Sequence, residues 1–289
     1  MEKTKILILI GISAAVLLSG CIEEKVQTTQ ESKTYERIVS TSPAATEILF
    51  ALGLEDKVIG VTTYCNYPEE AKEKEKIGGF STVDIELIIN STPDLVLASS
   101  MMKDEDIKKL EGAGIKVVVL DPENIDEILG NIKLIGDLTG KEKEALELTD
   151  DMQGRINKVR ENAKNLKKKP KVMYVVWHEP MMSVGKNTKA NDIIEIAGGE
   201  NIYSDTEIQY PKVSLESVID RDPDIIIANI GHGDAKNLTY EYIMNETRMK
   251  GINALENGRV YGIEADIIDR PGPRIVDALE QFAEWIQEE

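Results

Sequence analysis

The chain contains two histidines, His178 in "WHEP" and His232 in "GHGD". A neutral imidazole can bind the metal of an open complex, donate a hydrogen bond to a bound molecule, or cap a strand end. Two histidines with no third nearby in sequence fall short of a bare zinc site unless neighbouring carboxylates complete it. No resident metal or cofactor is therefore expected, and His178 and His232 are the positions where one would bind. A hydrolase would need His178 paired with Glu179 or Asp266 as acid and base. Neither a phosphate-binding glycine loop nor a nucleophile elbow accompanies them. The expectation is a protein that is not an enzyme.

A pair of glutamates raises a different question. The stretch "VDIELIINSTPDLVLAS", Val83 to Ser99, aligns without a gap to "VSLESVIDRDPDIIIAN", Val213 to Asn229, at an offset of 130 residues. Asp84 and Ser214 occupy matching positions and suit helix N-caps. Glu86 and Glu216 then fall in the first turn, where the helix dipole favours a negative charge. Pro93 and Pro223 stop each helix, and the following aspartate leads into a strand. In a parallel α/β layer such a helix starts at the edge where strand C-termini emerge, and open sheets bind ligands there. On geometry alone the two acids either stabilise helix ends or face a partner at the rim of a cleft.

The elements that would position these residues follow from hydrophobic patterning. From Arg37, aliphatic runs "RIVSTS", "KVIGVTT", "DLVLAS" and "KVVVLD" alternate with helical segments, and the rhythm restarts at "KVMYVVW" with "DIIIANI" and "RVYGIEA". Continuous apolar strands between helices indicate a parallel sheet covered on both faces. Two Rossmann-like α/β lobes are expected, at residues 37–139 and 170–289, closed by an amphipathic helix from Pro273 to Gln287. Between them, residues 140–169 contain a broken apolar stripe of Ala145, Leu146, Leu148, Met152, Ile156 and Val159. One helix of roughly 25 residues, about 38 Å long, would bridge the lobes and restrict their relative motion.

The first 20 residues read as a signal peptide, with Lys3 and Lys5 before an apolar run from Ile6 to Leu18. "LLSGC" matches a bacterial-type lipobox, which would leave Cys21 as the lipidated first residue; a plain membrane anchor is the alternative. Residues 21–36 suit a flexible, lipid-anchored tether. After processing, Cys65 is the one remaining cysteine, so no disulfide framework forms, and it is read as a packed residue. Acidic residues outnumber basic ones 52 to 34, a formal charge of −18 that disfavours nucleic acid as a partner.

"RIVSTSPAATEILFALGL", "VTTYCNYPEEA", "GGFSTVDIELIINSTPDLVLAS" and "DIIDRPGPRIVDALE" resemble the metal-chelate solute-binding proteins of ABC importers, and most of all the cobalamin-binding ones. The likeness runs over nearly the whole mature chain. It implies a class III periplasmic-binding-protein fold on the outer face of the cell membrane, acting as a monomer. It also implies capture of cobalamin, a ferric siderophore or haem, and delivery to a permease dimer with its ATPase subunits. Matched by position, Tyr64, Phe80, Trp177, Tyr210, Asp266 and Arg270 are implied ligand contacts, and Glu86 and Glu216 implied permease-docking residues. Aromatic faces on both walls suit a large, flat, partly apolar chelate. This chain departs from close cobalamin binders at Ile267-Ile268, where aromatic residues are common. A surface sensor with the same fold and tether but no permease remains the third alternative.

Overall fold

Aliphatic runs without polar interruption must be buried on both faces, and helices are the economical cover. A computed structural model describes residues 34–79, 81–231 and 237–288, and in it these runs form two separate parallel sheets. The expected signal peptide, Cys21, Phe80 and His232 lie outside the described residues.

The N-lobe runs β1 (Ile38–Ser40), α1 (Pro43–Ala51), β2 (Val58–Val61), α2 (Ile85–Asn90), β3 (Leu95–Ser99), α3 (Asp104–Gly112), β4 (Lys116–Leu120) and α4 (Ile125–Thr139). After α5 (Glu142–Ala163) come β5 (Lys171–Val175), β6 (Trp177–His178), β7 (Met181–Met182), α6 (Lys189–Ile196) and β8 (Glu200–Asn201). The C-lobe continues with α7 (Leu215–Arg221), β9 (Ile225–Ile230), α8 (Leu238–Asn245), α9 (Asn253–Glu256), β10 (Val260–Glu264), α10 (Ala265–Ile268) and α11 (Ile275–Gln287). The sheets are ordered β2-β1-β3-β4 and β8-β5-β9-β10. Counted within its own lobe, each sheet runs second, first, third, fourth strand. The duplicated stretches supply α2–β3 in one lobe and α7–β9 in the other.

The equivalence extends to single hydrogen bonds. Asp84 accepts from the Leu87 N–H and Ser214 from the Ser217 N–H, so both predicted N-caps form. The aspartate after each proline fastens the lobe's first strand. Asp94 accepts from the Arg37 N–H at 3.0 Å, and Asp224 from the Lys171 N–H at 2.8 Å. The same basic residues reach back to the helix ends, Arg37 to the Ser91 carbonyl and Lys171 to the Arg221 carbonyl.

The bridging helix is shorter than its patterning suggests. Gly140 takes a left-handed φ of 70° and closes α4, which delays the start of α5 to Glu142. At the other end Leu166 turns onto the core, which takes the chain out of the helix before the lysine run. Within α5, Ala145, Met152, Ile156 and Val159 are buried, while Leu146 of the expected stripe is exposed. Its buried face packs on α4, α6 and α11, and Arg155 pairs with Asp277 and Glu280 of α11. One apolar cluster thereby continues from Ile48 and Leu97 through α5 to Tyr174, Ile227 and Phe282. Ahead of β1, Tyr35 donates its N–H to the Leu138 carbonyl at the end of α4.

Asp94→Ala and Asp224→Ala should each cost about 1–2 kcal/mol, the scale of backbone donors losing an ionised acceptor. Urea unfolding would measure both, and matched losses are expected because the two aspartates do the same work.

Candidate ligand-binding cleft

In a parallel sheet, every strand delivers the residues that follow it to one edge. At that edge the N-lobe presents Tyr64 after β2 and Asp121 after β4, and the C-lobe presents Trp177 after β5 and Asp266 at the start of α10. Tyr64 is 58% exposed and Tyr210, on the loop before α7, 45% exposed. Large aromatics left this open on loops at strand ends can cover a ligand.

Asp266 and Arg270 are brought together, but with each other. Arg270 Nη2 lies 2.7 Å from Asp266 Oδ2, and Arg270 Nη1 donates to Asn66 Oδ1 of the N-lobe at 2.6 Å. Beneath them sits Glu47 on α1, with its side chain only 2% exposed. Arg274 meets its carboxylate with two bonds, at 2.9 and 2.5 Å, and Arg270 lies 3.6 Å away. Tyr67 stacks on the Arg274 guanidinium at 4.0 Å. A buried carboxylate must be paired to be tolerated, and here the pairing ties the lobes together. Neither Glu47 nor Arg274 carries a sequence signal beyond "PAATEI" and "RPGPR".

Trp177 and His178 belong to a two-stranded antiparallel hairpin, β6–β7, which the aliphatic patterning does not announce. The Trp177 indole donates to the Glu179 carbonyl, and its ring lies 4.7 Å from that of His178. His178 also packs on Tyr242 and has Nδ1 3.4 Å from the Thr239 hydroxyl. Among the described residues no three His, Cys, Asp or Glu side chains are placed to hold a metal ion.

A polar chain under the C-lobe wall also escapes sequence reasoning. The fully buried Tyr174 donates to Asn229 Oδ1, and Asn229 Nδ2 donates to Asp269 Oδ2 at 3.1 Å. Burial, with Asp269 and Tyr210 nearby, pushes the Tyr174 phenol well above its ordinary range, which keeps it a donor. A cavity of about 230 Å³ opens beside this chain, lined by Tyr174, Thr188, Lys189, Tyr210, Ile268 and Asp269 among others. In the N-lobe, the residue equivalent to Asn229 is Ser99, whose buried hydroxyl has no hydrogen-bond partner among the described residues.

Glu86 and Glu216 are both exposed in the first turn of α2 and α7. The Glu216 carboxyl is held below its usual range by its own backbone N–H and the Ser214 hydroxyl. Cys65 is buried against Thr46 and Thr62, each 3.2 Å from its sulfur, as a packed residue would be.

The sequence pattern of the periplasmic binding protein family matches residues 38–267. YvrC of Bacillus subtilis, an ABC transporter substrate-binding lipoprotein, is 34% identical, over 88% of this chain and 81% of its own. The crystal structure of the periplasmic vitamin B12 binding protein BtuF of Vibrio cholerae superposes with a TM-score of 0.74 at 28% identity. It covers 88% of this chain and 97% of that one. A periplasmic solute-binding protein of Staphylococcus epidermidis, with iron binding given as a possibility, superposes at 0.78 with 34% identity. It covers 89% of this chain and all of that one.

Glu47→Ala would leave buried guanidinium charge without its partner and should cost about 3–5 kcal/mol. Urea unfolding would measure the loss, and Glu47→Gln should lie between that variant and the wild type.

Proposed function

The chain belongs to the periplasmic binding protein family, and from that premise we propose that its cleft captures cobalamin or a related corrinoid. It is the solute-binding protein of an ABC transporter, working outside the cytoplasm with a permease and its ATPase subunits, and it is not an enzyme. The similarity to the vitamin B12 binding protein of Vibrio cholerae, sustained over 88% of the chain, carries the choice of ligand. The layout of the cleft supports it. Exposed Tyr64 and Tyr210 on opposite lobes offer apolar faces to a flat macrocycle, and Trp177 adds a third on the hairpin. Asp266, Arg270 and Asn66 offer polar atoms at the mouth, and the ligand would exchange their cross-lobe bonds for its own. A ferric siderophore is the second reading, supported by the Staphylococcus epidermidis relative.

The N-terminal "LLSGC" supports lipidation at Cys21, in keeping with the lipoprotein name of the Bacillus subtilis relative. No described helix is long and apolar enough to cross a membrane. Glu86 and Glu216 act as docking acids for the permease. Their equivalent exposed positions, one on each lobe, support that role over helix capping, which Asp84 and Ser214 already provide.

Titration with cyanocobalamin, haemin and ferric siderophores, followed by tryptophan fluorescence, tests the ligand. Saturation at one corrinoid per chain is expected; tight binding of a siderophore with no response to any corrinoid would replace it. Glu86→Ala/Glu216→Ala should leave Kd unchanged while cutting uptake by roughly tenfold or more, as expected for two lost charge-assisted contacts. Uptake at the wild-type rate would point to a surface sensor instead.

A further inference from the structure

We infer that the cavity framed by Lys189, Tyr210 and Asp269 is a subsite for one neutral, amide-bearing side arm of the chelate, selecting amide arms over carboxylate arms. The inference rests on the corrinoid reading above. Size comes first. At about 230 Å³ the cavity holds no macrocycle, since pockets for whole drug-sized ligands start at roughly 300 Å³. It has room for a short substituent reaching down from a ring held higher in the cleft.

Chemistry then narrows the substituent. Asp269 is an acceptor, oriented by the Asn229 amide, which is itself oriented by Tyr174. Lys189, which also lines the cavity, is a donor, with Nζ 3.4 Å from the Pro122 carbonyl of the N-lobe. Tyr210 adds a hydroxyl that can serve either way. A primary amide presents two N–H donors and one carbonyl acceptor, so it can satisfy Asp269 and Lys189 together. A carboxylate offers acceptors only and sets a second anion beside Asp269.

The surrounding field deepens that penalty. Asp121, Glu123 and Glu127 of the N-lobe, with Asp269, act on Lys189. Four carboxylates thus already act on one ammonium. Burial pushes that ammonium below its ordinary range despite them. Tyr210 is pushed up, by burial first and then by Asp269 and Asp121, so it stays protonated. Among the described residues that line the cavity, Lys189 is the one cation, so an added anion must share it with these carboxylates, whereas a neutral amide adds no charge.

The full-length chain in detergent is titrated with cyanocobalamin and with each of its separated monocarboxylic acids, in which one peripheral amide has been hydrolysed. At least one acid should bind roughly tenfold more weakly than the parent, the scale of one buried hydrogen bond replaced by a like-charge contact. Asp269→Asn should bring that acid back towards the parent, and Lys189→Met should weaken the parent itself. If every acid binds like the parent, the subsite is overturned even though corrinoid binding stands. The wild-type ranking decides this even where a variant fails to fold. A discriminated acid that Asp269→Asn, folded as judged by circular dichroism, leaves equally weak also overturns it. No binding of any corrinoid overturns the ligand assignment and the subsite with it.

Discussion

The buried carboxylate of Glu47 is the contact on which the geometry of the cleft depends. It lies in the first lobe, while both guanidinium groups that neutralise it come from the loop leading into the last helix of the second. Such a charge cannot remain in the interior without its partners, so the two lobes cannot part at this point without exposing or stranding it. Arg270, steered from below by Glu47, is free to reach up to Asp266 and Asn66. The polar mouth of the cleft is therefore the upper half of a network whose lower half joins the lobes.

The back of the molecule is held differently. Helix α5 lays its buried residues against α4 on one side and α6 and α11 on the other, within a single apolar cluster. Area burial is non-directional and tolerant of small shifts, whereas a bidentate arginine–carboxylate pair is directional. A stiff apolar spine with a polar clasp at the mouth suits a receptor that must keep its shape when empty.

Duplication built the frame, and divergence built the site. The lobes share strand order, helix caps and even the aspartates that fasten β1 and β5. At the equivalent ends of β3 and β9 they differ. Asn229 joins Tyr174 to Asp269, while the Ser99 hydroxyl has no hydrogen-bond partner among the described residues. The C-lobe wall thus carries a linked chain of donors and acceptors.

Much of this was legible along the chain. Strand and helix periods, the N-caps Asp84 and Ser214, the terminators Pro93 and Pro223 and the repeated unit are all nearest-neighbour properties, set within a few residues of one another. They determined two parallel α/β lobes, a helix between them and an acid at each matching helix start. The length of that helix was less legible, because Gly140 and Leu166 served neighbouring elements instead. Only the tertiary structure decided the partners of the charged and polar side chains. Glu47 meets Arg274 across 227 positions, Asn66 meets Arg270 across 204, and Tyr174 reaches Asn229 across 55. No local pattern encodes such pairings, since they depend on where loops return after the lobes pack; that is why Asp266 and Arg270 could be placed at the cleft from sequence but not seen to hold each other.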